Sequence, residues 1–257
     1  MNIIGQAIEL ISLKGVNLSI TITDDPIMLP PKLQKEVDQH WQGMIAERPN
    51  LFNGTAFSVA SIDRTPAKIA VTMAQTSFAH NVYCERHDAG DYAFRVLHSA
   101  TLVVTSDNQI VLGEMGPHTA RAGAICCSGG GIDSDDVRDN TIDLTGNTVR
   151  ELREELGIDV NDPTQVASFA PYYLKTGGPQ GKMTAVYRAD LAISADAFQK
   201  RYDAFVAELT DKGETPEFSR LHIVHNTPEQ IATFISEHPT LDEYVPPVLR
   251  IISESKQ

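Results

Sequence analysis

The sequence predicts an α+β fold, and three observations support this prediction. Segments in which apolar and polar residues alternate, as in strands, are spread over most of the 257 residues. Amphipathic stretches typical of helices are few and do not alternate regularly with the strands, which argues against repeated βαβ units. A hydrophobic content of 42% is enough for a sizeable core. A chain of this length fits one large domain or a domain with an extension.

The first 92 residues predict a small α/β extension. Pro30 and Pro31 precede apolar residues at helical spacing, which predicts a helix beginning there. β-Branched residues in alternation predict strands on both sides of it. We place a boundary near Asp88–Tyr92, so that residues 1–92 pack on a main domain of residues 93–257. The predicted elements are a strand Val16–Thr23, a helix Lys32–Ala46, a turn Pro49–Gly54, and strands Ala56–Ile62 and Ile69–Ala74.

The main domain begins with a predicted hairpin. Asp107 and Asn108 have turn chemistry and separate two apolar runs, which is a hairpin signal. Further along, Thr227 precedes Pro228-Glu229-Gln230, a favourable helix start. The predicted elements are strands His98–Ser106 and Gln109–Gly113, an acidic helix that ends by Gly157, a strand Lys182–Ile193, a helix Ala195–Leu209, a strand Leu221–Val224, and helices Thr227–Glu237 and Val245–Ile252.

Charge and composition restrict the class of partner. The formal net charge is −13, so no basic field offsets phosphate repulsion, and we expect neither nucleic-acid nor membrane binding. A small phosphorylated ligand remains compatible, because a metal ion and a few local cations dominate within a cleft. The apolar start Met1–Leu13 lacks the basic region and cleavage site of a signal peptide. The three cysteines form no CxxC motif, which favours a reducing, cytoplasmic location. The oligomeric state is not predicted.

The most informative segment is the end of the acidic helix. Glu151, Glu154 and Glu155 fall within an arc of roughly 100° on a helix. These carboxylates repel each other, and Glu154 and Glu155 lie in the last turn before Gly157, where the helix dipole disfavours anions. A divalent cation would relieve both penalties. The alternative is a solvated acidic helix in which Arg150 pairs with Glu154.

A glycine-rich loop, Gly129–Gly131, follows the apolar run Ala124–Cys127 and precedes this helix. The order of strand, glycine loop and acidic helix resembles the Nudix box, G-x5-E-x7-R-E-U-x-E-E-x-G-U with U aliphatic. All nine positions of its second half match at Arg150–Ile158. The first half departs from the pattern. Pairing Gly130 with the first glycine puts Asp136 at the first glutamate and implies an insertion of about six residues ahead of the helix, which the turn chemistry of the residues from 139 to 146 favours.

The resemblance implies a Nudix fold, a mixed β-sheet sandwiched between helices, here with the N-terminal α/β extension. It also implies Mg²⁺-dependent cleavage of a nucleoside diphosphate linked to a second group, with Mn²⁺ as an alternative ion. Glu151 and Glu155 would bind the metal directly, Glu154 directly or through water, and Arg150 would orient Glu154.

The general base is not fixed by the sequence. The resemblance points to the box itself or to a loop before a late strand. Glu217 lies in such a loop, and Glu208 and Glu214 are the alternatives.

Two glycine-rich segments are candidates for substrate binding. Glycine lets a phosphate approach the main chain, so Gly129, Gly130 and Gly131 are candidates, and their carbonyls are further candidate metal ligands. The segment Lys175–Lys182 is glycine-rich with a lysine at each end, which suits a phosphate or a sugar; a plain hairpin connection explains it equally well. We expect the base to be read by the N-terminal part or by the residues from 172 to 182.

A second resemblance concerns the substrate. Trp41, the run Pro49–Gly54 and Phe57 are similar to a W…RPxLFNGxxF signature in the UDP-sugar hydrolases of the Nudix superfamily, and Pro216–Ser219 is similar to their segment ahead of a late strand. This implies hydrolysis of UDP-glucose or UDP-galactose to UMP and a sugar 1-phosphate. The alternatives are an ADP-ribose or other nucleoside-diphosphate pyrophosphatase, and a non-catalytic nucleotide-sugar sensor.

Overall fold

The computed structural model describes residues 6–179 and 181–254, which contain two β-sheets and six α-helices. The first five residues of the apolar start, Gln180 of the segment Lys175–Lys182, and the last three residues of the predicted main domain lie outside the described residues. The mixture of two sheets with separate helices confirms the predicted α+β class. No helix in the described ranges is long and apolar enough to cross a membrane.

The larger sheet has seven strands in the order β1-β10-β11-β5-β6-β12, and β7 pairs with β6. β5 runs parallel to β11 and antiparallel to β6, so the sheet is mixed, as predicted. Its strands are β1 Glu9–Ser12, β5 Leu97–Val104, β6 Gln109–Met115, β7 Ile125–Cys126, β10 Val166–Thr176, β11 Met183–Leu191 and β12 Phe218–His225.

The smaller sheet has five strands in the order β3-β4-β2-β9-β8. Its short hairpin of β8 and β9 belongs to the predicted insertion, and Asp139 and Asn140 turn it with positive φ angles of 48° and 58°. Its strands are β2 Asn17–Ile22, β3 Thr55–Thr65, β4 Lys68–Ser77, β8 Val137–Arg138 and β9 Thr141–Ile142.

Strand pairing crosses the predicted boundary at residue 92 in both directions. β1 from the N-terminal part forms the edge of the larger sheet beside β10. β9 from the insertion pairs with β2 of the smaller sheet. The division into two domains stays a prediction, and the two parts share their sheets.

The helices predicted from sequence are present, each within a few residues of its predicted bounds. The sequence did not predict the short helix α2, the edge strand β1 or the long strand β10. The helices are α1 Pro31–Glu47, α2 Phe78–Cys84, α3 Leu144–Leu156, α4 Ala195–Asp211, α5 Pro228–Glu237 and α6 Val245–Glu254.

Two apolar clusters cover the faces of the larger sheet. One contains Leu152 and Leu156 of α3 together with residues of α4, α5 and α6. The other joins β10 and β11 to the smaller sheet through residues such as Leu174 and Met183, both fully buried. The first of these clusters anchors the acidic helix against the sheet.

Candidate active site

The carboxylates of helix α3 lie at different depths, from the protein interior to its surface. Asp143 accepts a hydrogen bond from the Gly146 N–H at 2.8 Å and caps its start, and Gly157, at φ 65°, ends it in the left-handed conformation. Glu154 is 59% exposed at its side chain, Glu151 is 13% exposed, and Glu155 is 4% exposed as a residue. The three glutamates predicted to share one arc therefore differ in their access to water.

Glu155 is held against the glycine loop. Its Oε2 accepts a hydrogen bond from the Gly129 N–H at 2.9 Å. The pKa of Glu155 is raised to about 8: burial is the main cause, the charges of Glu217 and Glu151 add to it, and the Ser128 hydroxyl and the Gly129 N–H oppose it. The fold thus holds a carboxylate where ionisation is costly without a cation.

Glu151 lies one turn earlier and is also largely buried. Its pKa is raised to about 7: burial is the main cause, the Arg150 guanidinium opposes it, and the charges of Glu154 and Glu217 add to it. A Cβ on Gly130 would lie 2.5 Å from Glu151 Oε1, so the glycine leaves the space that this carboxylate occupies.

Arg150 faces four carboxylates, more than the single partner predicted. Its guanidinium lies 3.4 Å from the predicted partner Glu154 and 2.9 Å from Glu151, which is its shortest ion pair. It also lies 3.4 Å from Asp136 and 3.6 Å from Asp133. Arg150 therefore neutralises part of the acidic cluster and positions Glu151 as well as Glu154.

Asp136, which the pairing of Gly130 with the box glycine puts at the first glutamate, lies beside α3. It is buried and accepts a hydrogen bond from Asn147 Nδ2 at 2.9 Å. Asn147 also donates to the Gly131 carbonyl at 2.9 Å and accepts from the Ser99 hydroxyl at 2.6 Å. This buried amide joins the insertion, the glycine loop and β5 to α3. Asn147 was not predicted, because its only signal in the sequence is a polar residue on the buried face of the helix.

The glycine loop runs along the first half of β5. Gly131 bridges to His98, and Ser128 bridges to Thr101. A Cβ on Gly129 would collide with the main chain of Ser99, so only glycine fits there. The Gly130 carbonyl accepts the Ser99 N–H at 3.0 Å, and the Gly131 carbonyl accepts Asn147. Two of the three predicted carbonyl ligands therefore already have protein partners.

Glu217 precedes β12 and contributes to the same electrostatic cluster. Its carbonyl accepts the Gly116 N–H at 2.8 Å, which fixes the main chain at the end of β6. Partial burial raises its pKa, the charge of His118 lowers it, and that of Glu154 raises it. The alternative Glu208 pairs with Lys212 at 2.7 Å on α4, and Glu214 is exposed in the following loop.

The two lysines of the segment Lys175–Lys182 have different environments. Lys175 has a fully buried side chain, which forms an ion pair with Glu243 and donates to the Lys182 carbonyl at 2.9 Å. The Lys175 ammonium is therefore engaged by protein partners, and its role in substrate binding stays a prediction. Lys182 lines a cavity at the end of α2. The segment joins the antiparallel strands β10 and β11, which confirms the alternative of a hairpin connection.

A divalent cation fits this donor set in chemistry. In the described part of the chain, no three Asp, Glu, His or Cys side chains are arranged closely enough to hold a metal ion. Glu151 is engaged by Arg150, and Glu155 by Gly129. Buried carboxylates whose pKa is raised by burial and by neighbouring negative charges are nevertheless the oxygen ligands that Mg²⁺ prefers.

Comparisons with known proteins give similarity at the level of structure alone. No family model matches the sequence, and no curated protein matches it. The protein DR0079 from Deinococcus radiodurans is 16% identical, over 65% of this chain and 88% of that one, with a TM-score of 0.41. A Nudix hydrolase from Nitrosomonas europaea is 11% identical, over 63% of this chain and 90% of that one, with a TM-score of 0.37. The Nudix domain of Shewanella oneidensis NrtR, solved with ADP-ribose, is 13% identical, over 68% of this chain and 96% of that one, with a TM-score of 0.36.

Proposed function

We propose that this protein is a divalent-cation-dependent Nudix hydrolase that cleaves a nucleoside diphosphate sugar. The observation that carries the proposal is the cluster of Glu151, Glu155 and Glu217, in which burial and the charges of neighbouring carboxylates raise the pKa of each group. Perturbed carboxylates gathered on one helix turn and a facing loop are typical of functional sites. A solvated acidic helix, the alternative, would leave these groups in water, whereas Glu155 is 4% exposed.

Glu151 and Glu155 would hold Mg²⁺ or Mn²⁺, with Glu154 as a direct or water-mediated ligand. A bound cation would neutralise phosphate charge, orient the diphosphate and make a coordinated water more acidic. Arg150 favours the ionised form of the neighbouring carboxylates and offsets their repulsion.

The reaction would be attack of water on one phosphorus of the diphosphate. The new bond joins the water oxygen to phosphorus, and the bond to the bridging oxygen breaks. Glu217 would accept the water proton at a carboxylate oxygen, and its raised pKa moves this base toward neutral pH, where general bases are most effective. UDP-glucose would give UMP and glucose 1-phosphate.

The choice of a UDP-sugar rests on the resemblance of the N-terminal signature. Asn53 of that signature accepts the Ala79 N–H at 2.7 Å, and the Gly54 carbonyl accepts the Phe78 N–H at 2.9 Å. Trp41 is buried and its ring contacts Phe78 edge to face at 6.1 Å. These residues therefore fix the position of α2. They support the proposal only indirectly, because they determine which side chains of α2 are exposed to a ligand. We also propose that the protein is cytoplasmic.

A panel of nucleoside diphosphate sugars with Mg²⁺ or Mn²⁺, read out as nucleoside monophosphate release, tests the proposal. UDP-glucose or UDP-galactose should be cleaved with a kcat/KM at least about tenfold above that of ADP-ribose, because a site built for one base leaves polar groups unpaired with another. Equal or faster cleavage of ADP-ribose would favour the alternative pyrophosphatase. Binding of nucleotide sugars with no cleavage at any pH or metal concentration would favour the sensor.

A further inference from the structure

A cavity of about 490 Å³ lies between α2, the segment that leads into β5, and the β10–β11 connection. Its size suits a nucleoside or a sugar phosphate, because small-molecule pockets start at roughly 300 Å³. Residues from both sides of the predicted boundary at residue 92 line it, among them Asn81, Glu85, Phe94, Val96, Arg121 and Lys182.

Hydrogen bonds fix the walls of this cavity. His80 is fully buried, and its ring nitrogens lie 2.9 Å from Thr76 Oγ1 and 2.8 Å from the Tyr92 carbonyl. The same ring contacts Phe94 edge to face at 5.9 Å. Arg121 is held by Asp242 at 2.6 Å while its side chain stays 44% exposed. The walls are thus preformed, which lowers the entropic cost of binding.

The lining chemistry matches a uridine nucleotide. Phe94 offers an aromatic ring on which a base stacks. The Asn81 carboxamide presents a donor and an acceptor side by side, and no described residue hydrogen-bonds it. The imide edge of uracil presents the complementary acceptor and donor. Arg121 and Lys182 supply positive charge for a phosphate, in a chain whose net charge is −13.

The cavity lies beside the candidate active site. The Met183 N–H donates to the Val96 carbonyl at 2.9 Å at the cavity wall. Two residues further along the extended chain, roughly 7 Å away, His98 of β5 bridges to Gly131 of the glycine loop. A nucleoside diphosphate spans more than this distance.

We infer that this cavity binds the uridine half of the substrate, with the base between Phe94 and Asn81, the ribose hydroxyls at Glu85, and a phosphate at Arg121 and Lys182. The inference rests on the proposed function for its substrate class. It also gives the N-terminal signature a physical role, because Asn53 and Gly54 position the start of α2, which carries Asn81 and Glu85.

Titration of UMP and AMP into the metal-free protein, followed by calorimetry, tests this inference without requiring catalysis. We expect the wild type to bind UMP more tightly than AMP. Phe94→Leu should raise the Kd for UMP at least about fivefold, since base stacking on an aromatic ring contributes that much. Lys182→Gln should weaken UMP binding, and Asn81→Ala should reduce the preference for UMP over AMP. Lys68→Gln, at an exposed lysine of β4, is the matched control and should bind as the wild type does.

Parallel assays of UDP-glucose hydrolysis separate this inference from the proposed function. If Phe94→Leu and Lys182→Gln both bind UMP as tightly as the wild type, the inference is overturned. An undiminished kcat/KM for UDP-glucose in both variants would overturn it as well. In either case, hydrolysis of UDP-glucose by the wild type would leave the proposed function standing. Weakened UMP binding in the variants, together with no diphosphate hydrolysis by the wild type, would support the uridine site and reject the hydrolase. Lys182→Gln changes one partly exposed side chain, so it keeps the test valid if Phe94→Leu fails to fold.

Discussion

The main-chain N–H of Gly129 donates to the buried carboxylate of Glu155 at 2.9 Å, so the glycine loop and the last turn of α3 are directly joined. Because the same loop bridges to β5 at both ends, this contact fixes the carboxylate relative to the sheet. The acidic cluster is therefore positioned by the core of the fold and not by a flexible loop.

Replacing Glu155 by glutamine should keep the fold and remove activity. Glutamine is nearly isosteric, its Oε1 accepts the same Gly129 N–H, and it lacks a charge whose burial raises the pKa of Glu155 to about 8. Thermal stability should hold or rise slightly. Losing a metal carboxylate should reduce kcat/KM by about a hundredfold or more. Turnover near that of the wild type, at saturating Mg²⁺, would reject this helix as the metal site.

Divalent cations should stabilise the free protein. A cation that binds the crowded carboxylates only in the folded state shifts the unfolding equilibrium by mass action, by about 2.7 kcal/mol at a hundred times its Kd. Millimolar Mg²⁺ or Mn²⁺ should therefore raise the melting temperature by several degrees, measured by calorimetry. The rise should disappear in Glu151→Gln/Glu155→Gln and persist in Glu47→Gln/Glu229→Gln, whose glutamates are exposed and remote in sequence. An undiminished rise in the first double variant would place the ions elsewhere.

The sequence predicted the local elements of this fold because each carries its own signal. The Asp107-Asn108 turn is present, with Asn108 at φ 61°, and Gly157 ends α3 as expected. Neither β1 nor β10 was predicted, because each is fixed by pairing with a strand far away along the chain. Such pairing depends on tertiary contacts that a local pattern does not contain.

The candidate site was predictable only where a motif fixes the spacing. The second half of the box placed Glu151, Glu154 and Glu155 together on α3, whereas the assignment of Asp136 depended on an inferred insertion. The partner of Lys175 is Glu243, 68 residues further along the chain, so its burial had no sequence signal. The cavity lined by Asn81 and Lys182 likewise exists only once two distant segments meet.

Asp107 should make the stability of the protein depend on acid pH. It accepts hydrogen bonds from the Thr105 hydroxyl at 2.6 Å and from the Ala195 N–H at 2.9 Å at the start of α4. The Thr105 bond is the main cause that lowers the pKa of Asp107 to about 2, and the Ala195 bond adds to it. Because the folded-state pKa is depressed, the contribution is present above the unfolded pKa near 4 and is lost as the pH falls through about 2.

Asp107→Asn should therefore lower the free energy of unfolding by roughly 1 kcal/mol at pH 7, a small value because the side chain is exposed to solvent. The difference from the wild type should shrink between pH 4 and pH 3 in urea denaturation. Asp63→Asn, at an exposed position of β3, provides the control and should show no such dependence. A difference that stays constant down to pH 3 would mean that the carboxylate charge is not responsible.

Gly130→Ala should weaken cation binding while leaving the fold intact. The added Cβ would lie 2.5 Å from Glu151 Oε1, and the atom in its way is the end of a flexible side chain. The carboxylate therefore moves in preference to the main chain, and it loses its position beside Arg150. Stability should change by no more than about 1 kcal/mol, because the three atoms nearest to the new Cβ all belong to the Glu151 side chain and no main-chain atom has to move. Gly131→Ala is the matched control, because a Cβ at Gly131 would meet no atom within 4 Å. Titration of Mn²⁺ followed by electron paramagnetic resonance should give a Kd at least about tenfold higher for Gly130→Ala than for Gly131→Ala, since displacing one carboxylate ligand costs more than about 1.4 kcal/mol. Equal affinities in the two variants would show that Glu151 does not bind the cation.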